Sequence, residues 1–227
     1  MIIFSEVMYD NKRKISGENP IHIEFIKNKA IPIFESWGYE VHILHAKKDY
    51  LDCFYHICEK PRKIMSNKGK YTGFPPIGLC NVKRDCKIKP MTDFYKSIDE
   101  PYMKYVGICI DEPKRLGSLH KDNQQISLLE KYGYNEKMAK ELCENFGLLS
   151  PAYKFSKRQG CWFCPNAKLA EHKEIKETMP SIWKEFVNLE NEKNLANYKY
   201  NVFGKTLHEI DELIELEKSQ MSIFDFI

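Results

Sequence analysis

The chain has 227 residues, is 43% hydrophobic and 30% charged, and carries a formal net charge of +3. Those proportions belong to a globular protein, long enough for one well-buried domain or a domain with a small appendage, and so small a charge sets up no whole-chain field for nucleic acid or membrane. No apolar run approaches the ~20 residues of a membrane span, and MIIFSEVMYD lacks the features of a signal peptide, so a cytoplasmic protein with no membrane partner is expected.

In chain order, IIFSEV (2–7) reads as a strand. Residues 19–38 place Ile21, Ile23, Phe25, Ile26, Ala30 and Phe34 at helical spacing, with a distortion expected at Pro32 and an end at Gly38. YEVHILHA (39–46) alternates as a second strand, and LDCFYHICEK (51–60) is a short amphipathic helix. Residues 68–80 are rich in Gly, Pro and Lys and predict a loop. A helix interrupted near Pro90 is predicted over 86–98, a third strand over 102–110, and a loop, DEPKRLGS, over 111–118. Asn135 caps a helix that closes at Gly147, and helices then dominate at 167–179, 181–193 and 206–219. Strands alternating with helices predict an α/β fold, a mainly parallel sheet with a helical C-terminal region.

Eight cysteines in a reducing compartment are thiols or ligands rather than structural disulfides. QGCWFCPNA carries Cys161 and Cys164 in a CxxC spacing, and GLCNVKRDCKIKP carries Cys80 and Cys86. Two pairs from separate loops can build a four-thiolate site for zinc or an iron–sulfur cluster, with the cluster favoured by the proline directly after Cys164. Lys83, Arg84, Lys87, Arg158 and Lys168 would offset the thiolate charge. The competing reading is that these are packed thiols, and that reading is preferred for Cys53, Cys58, Cys109 and Cys143, which lie among apolar neighbours.

GICIDEPKRLG places Asp111, Glu112, Lys114 and Arg115 just beyond the carboxyl end of the predicted third strand, where open α/β sheets bind ligands. Lys114 and Arg115 could grip phosphate or sulfate oxygens, and the carboxylates could orient a ribose or hold a metal ion such as magnesium. A solvated charged turn is the alternative.

Taken together, FSEVMYD, GENPIHIEFI, CNVKRDCKIKP, YVGICIDEPKR, GLLSPAY and GCWFCP make most of residues 1–170 resemble phosphoadenosine phosphosulfate (PAPS) reductase-like proteins. These belong to the adenine nucleotide alpha-hydrolase-like, or PP-loop, superfamily, and phage and mobile-element members are the nearest match. The resemblance implies a twisted, mainly parallel sheet with flanking helices and an adenine nucleotide, ATP or PAPS, at the strands' carboxyl edge. It implies sulfonucleotide reduction or ATP-dependent sulfur transfer, and a 4Fe-4S cluster ahead of zinc on Cys80, Cys86, Cys161 and Cys164. It assigns Glu6, Asp10, Asp111, Glu112 and Arg115 to the nucleotide, with Lys114 beside them, and leaves the catalytic residue unassigned. The family's glycine-rich SGGxDS phosphate loop is missing, since Gly17 in ISGEN lacks the following Gly-x-Asp-Ser. Such a loop supplies several charge-assisted hydrogen bonds of ~1.5–3 kcal/mol each. The chain is therefore expected to be a fragment, a subunit completed by a separate chain, or a diverged protein. No cysteine follows Cys164, which argues against ordinary PAPS reduction.

The expected organisation is an α/β domain over 1–165, a helical region over 166–219 and a tail over 220–227. Gln220, Met221, Ser222, Ile223 and Phe224 resemble the short peptide that binds the bacterial sliding clamp, in which a Gln anchor and apolar neighbours fill a small pocket. The alternatives to an enzyme are a non-catalytic metal-binding remnant recruited to DNA by that tail, and a zinc-stabilised nucleic-acid-binding domain suggested by the lysines of KKDY, PRK and SNKGK.

Overall fold

A computed structural model describes residues 1–61, 64–76, 78–156, 160–200 and 204–224, with side chains as far as residue 219. The chain forms two compact units, one of residues 1–93 with 151–227 and one of residues 94–150. The expected boundary at residue 165 does not separate them, because helices on both sides of it share one core.

In the larger unit β1 (Ile2–Glu6) pairs in parallel with β4 (Val41–His45), from Ile2 opposite Val41 to Glu6 opposite His45. The crossover between them begins at Asn19, whose side chain accepts hydrogen bonds from the Ile21 and His22 amides ahead of α1 (Pro20–Phe25). Proline at the first helical position costs no hydrogen bond, since that amide has no intrahelical partner. The distortion expected at Pro32 is a π turn, Ile26–Ala30, leading into α2 (Ile31–Ser36). Pro32 has no N–H and its ring crowds the preceding turn, and the Ile31 amide reaches back to the Ile26 carbonyl, five residues away. Between β1 and the crossover, β2 (Met8–Asp10) and β3 (Ile15–Ser16) make an antiparallel pair.

Aromatic side chains fill the core of this unit. Trp162 and Phe163, the residues between the CxxC cysteines, are each only 2% exposed. Trp162 lies 4.8 Å from the Tyr9 ring and Phe163 4.3 Å from that of Tyr50. Gly17 lies against them because a Cβ there would meet the Phe163 ring at 2.7 Å and the Val7 carbonyl oxygen at 2.8 Å. The C-terminal helices α8 (Leu169–Thr178), α9 (Pro180–Asn188) and α10 (Leu207–Phe224) add Ile175, Trp183, Phe186 and Ile214 to the same core. Lys176 joins α8 to α10 through Asp211, at 2.6 Å, and Glu215. The side chains of Gln220 to Phe224, on which the clamp-binding expectation falls, lie outside the described residues. No helix among the described residues is long and apolar enough to cross a membrane.

The mixed α/β class is observed, but the single broad sheet is not present among the described residues. Among the described residues the strands form four separate two-stranded pairs, three of them parallel. One parallel pair comprises β5 (Tyr71–Gly73), within the expected loop over 68–80, and β8 (Leu195–Asn197). In the smaller unit the strand expected over 102–110 shrinks to β6 (Lys104–Tyr105), paired with β7 (Gln125–Ile126). Beyond it the chain curls. The Ile108 amide bonds to the Val106 carbonyl at 3.0 Å, and the Ile108 carbonyl accepts the Ser127 hydroxyl at 2.7 Å. The loop expected over 111–118 is instead largely helix, α5 (Pro113–Leu119), because Pro113 pre-sets the first turn and Leu116 and Leu119 bury with Ile108.

Replacing Gly17 with alanine forces the Phe163 ring and the Val7 carbonyl apart and should destabilise the protein by about 1–3 kcal/mol, read as a lower urea midpoint. Gly117, where an added Cβ meets nothing within 4 Å in α5, gives the opposite sign. Gly117→Ala should raise stability by roughly 0.5–1 kcal/mol.

Candidate functional site

The CxxC loop is held by backbone and aromatic contacts that leave its sulfurs at the edge of the core. The Trp162 amide donates to the Gly17 carbonyl at 2.9 Å, and the indole N–H donates to the Ser16 carbonyl at 2.9 Å. A turn closes between Cys161 and Cys164 at 3.0 Å, and the Tyr200 hydroxyl donates to the Cys164 carbonyl at 3.0 Å. Cys80 sits before the π segment Lys83–Ile88, and its sulfur accepts the Lys83 amide at 3.3 Å. Burial pushes the Cys80 and Cys161 thiols up, and each is raised further by the charge of Cys164. Cys80 and Cys161 thus each respond to Cys164. Glu18 forms a β-bridge to Cys161; burial raises its carboxyl, and its Oε1 has no hydrogen-bond partner among the described residues.

Cys86 faces elsewhere. Its sulfur lies 3.7 Å from that of Cys53, and the two residues are 0% and 3% exposed. Sharing one hydrogen bond splits the pair, holding the Cys86 thiol far up and drawing Cys53 down, with Lys48 adding to the latter. Cys53 is core, as its apolar surroundings predict, but its partner was not foreseen. Among the described residues no group of three or more His, Cys, Asp or Glu side chains is arranged to hold a metal ion. Arg158, expected near the thiolates, lies outside the described residues.

Two clefts meet beside this sulfur-rich region. The first, about 680 Å3, opens at the carboxyl end of β4 and is lined there by His45, Lys47 and Lys48, with Arg84, Lys89 and Asp93 opposite. The second, about 780 Å3, is lined by Cys53, His56, Cys58, Cys80 and Lys83. Lys48, Arg84 and Asp85 line both. Arg84 pairs with Asp85 at 2.6 Å and Lys89 with Asp93 at 2.8 Å, whereas Lys47 and Lys48 have no ion pair among the described residues. The loop that carries these two lysines is pinned by Asn11, whose side chain donates to the Lys47 carbonyl at 3.3 Å and whose amide donates to Asp49 at 2.8 Å. Asp49 in turn caps α3 (Tyr50–Phe54), which carries Cys53. One hydrogen-bonded corner thus places both a cationic rim and a thiol.

The residues expected to bind nucleotide divide between the two units. Glu6 is 1% exposed and held by Lys27 at 3.0 Å and His45 at 2.8 Å, so it orients a rim residue rather than lining either cleft. Asp10 accepts the Lys12 and Arg13 amides and pairs with the Arg13 guanidinium at 2.6 Å, closing the turn after β2. Asp111, Glu112, Lys114 and Arg115 belong to the smaller unit. Asp111 accepts the amide of Glu136, the first residue of α7 (Glu136–Asn145), and Glu112 pairs with Arg115 across the first turn of α5. They do not stand directly beyond a strand, because β6 ends at Tyr105. Lys47 and Lys48, singled out in the sequence only as KKDY lysines for a nucleic-acid-binding alternative, follow directly on the strand VHILHA, the position where parallel sheets bind ligands.

Burial works against the Glu6 carboxylate, but hydrogen bonds from His45, Ser16 and Lys27 overcome it and hold its pKa below the ordinary 4.5. Its contribution to stability is therefore complete above that value and disappears as pH falls through the lower folded value. Glu6→Gln should lose about 2 kcal/mol at pH 7, with a smaller stability difference between pH 7 and pH 3 than the parent in urea titrations. No family model matches the chain, and no curated protein or solved structure is similar to it.

Proposed function

We propose that the chain is a PAPS reductase-like protein of the PP-loop type that binds the anionic end of an adenine nucleotide, ATP or PAPS, and carries out sulfur chemistry beside it. The observation that carries this reading is the junction of a lysine-rimmed cleft at the carboxyl end of a parallel strand with a cleft lined by cysteines. Lys47 and Lys48, which have no ion pair among the described residues, offer positive charge to phosphate or sulfate oxygens, and Arg84, whose Nε and Nη2 are paired with Asp85, keeps its remaining N–H groups for them. The shared wall at Lys48 and Arg84 would hold the anion while its sulfur-bearing part reached the thiols.

An iron–sulfur cluster, or zinc in its place, would require Cys80, Cys161 and Cys164 to draw together, because among the described residues they are not arranged as a metal site. Cys86 would have to leave Cys53 to serve as the fourth ligand. When bound, such a centre would supply positive charge or electrons next to the substrate sulfur.

Equilibrium binding of ATP and of PAPS to the intact chain, with or without magnesium, tests this reading. A Lys47→Ala/Lys48→Ala variant that keeps its circular dichroism should bind at least roughly tenfold more weakly, since each charge-assisted bond contributes ~1.5–3 kcal/mol. Equal affinity in the variant removes the cleft from the proposal. Zinc in the purified protein without affinity for either nucleotide favours a non-catalytic metal-binding module.

A further inference from the structure

Cys53 and Cys86 come from different elements, α3 and the π segment Lys83–Ile88, and are separated by 33 residues. Their sulfurs nevertheless stand 3.7 Å apart. A disulfide requires about 2.05 Å, so a small approach of the two side chains would close the bond. The pair is also asymmetric. Cys53, itself only 3% exposed, lines the second cleft, whereas Cys86 is 0% exposed and does not. The cleft that reaches Cys53 also presents Lys48, His56 and Lys83, a lining suited to an anionic ligand.

We infer that Cys53 and Cys86 form a redox dithiol in which Cys53 attacks, and Cys86 resolves, a low-molecular-mass anionic disulfide bound in this cleft. The Cys53 sulfur, as thiolate, attacks one sulfur of R–S–S–R′. A Cys53–S–S–R bond forms, the S–S bond of the substrate breaks, and R′–S⁻ leaves and takes up the proton Cys53 gave up. The Cys86 sulfur then attacks the Cys53 sulfur and expels R–S⁻, which takes the Cys86 proton. The substrate gains two electrons and two protons, and the protein is left with a Cys53–Cys86 disulfide. A low-molecular-mass thiol, acting by the same exchange in reverse, returns the dithiol and is itself oxidised to a disulfide. The inference does not depend on nucleotide binding.

Oxidised glutathione is a suitable anionic probe. The intact, fully reduced chain is incubated with it, quenched in acid, alkylated and mapped by peptide mass spectrometry, with iron and zinc content measured on the same sample. A linked peptide joining Cys53 to Cys86 is expected, together with two reduced glutathione molecules per disulfide formed. Cys86→Ser should stop at the mixed disulfide on Cys53, and Cys53→Ala should abolish both products while its circular dichroism is retained. Should Cys53→Ala fail to fold, the Cys86→Ser adduct decides the matter by its position. Three results overturn the inference: an adduct on Cys58 or Cys80 with Cys53 unmodified, a Cys53 disulfide to a cysteine other than Cys86, or Cys86 shielded from alkylation by bound metal while Cys53 remains free.

Discussion

The insertion of Trp162 and Phe163 into the aromatic core is the contact on which the larger unit depends. These rings reach Tyr9 after β1, Tyr50 at the start of α3 and Phe186 in α9, so one dipeptide joins segments from the beginning, middle and end of the chain. Large aromatic side chains contribute more apolar area per residue than any others, and offset or edge contacts add to that burial. The backbone hydrogen bond from Trp162 to Gly17 then fixes the height of the CxxC loop against β3. Because the two rings point inward, the flanking cysteines are held at the boundary of the core. The dipeptide that makes the loop hydrophobic is thereby what makes its sulfurs positionable.

A second constraint is electrostatic. A carboxylate as buried as Glu6 survives only if its oxygens are satisfied, and Lys27 and His45 satisfy them from the rim of β4. Burial of Glu6 thus draws His45 toward the first cleft wall. Asp85 and Asp93 pair with Arg84 and Lys89, whereas Lys47 and Lys48 have no ion pair among the described residues. The smaller unit uses its charges differently. Asp111 and Glu112 satisfy amides and an arginine at helix starts, where negative charge is favoured by the helix dipole.

The cysteines sort by surroundings rather than by spacing in the chain. Cys161 and Cys164 close one turn, while Cys53 and Cys86 share a hydrogen bond. Cys86 sits six positions beyond Cys80, and the π segment between them rotates its side chain inward to α3. Widening a helical turn by one residue shifts the direction of every side chain after it, and no pattern of residue types announces that shift.

The sequence by itself determined the local elements whose signals are local. The Asn135 cap, the distortion at Pro32, the strands 2–7 and 39–46 and the C-terminal helices were legible because capping, proline sterics and apolar periodicity act within a few residues. The core role of Cys53 was anticipated from its apolar neighbours. Strand length beyond Tyr105 was not legible, since a ladder needs a partner and the Ser127 hydroxyl takes its place at Ile108. Only the tertiary structure decided that Lys47, Lys48 and Arg84 rim one cleft, that Cys86 turns to Cys53, and that DEPKR starts a helix in a separate unit. Each of those outcomes depends on which distant groups satisfy a buried charge, sulfur or amide, and that pairing is set by packing across tens of residues rather than by any neighbour in the chain.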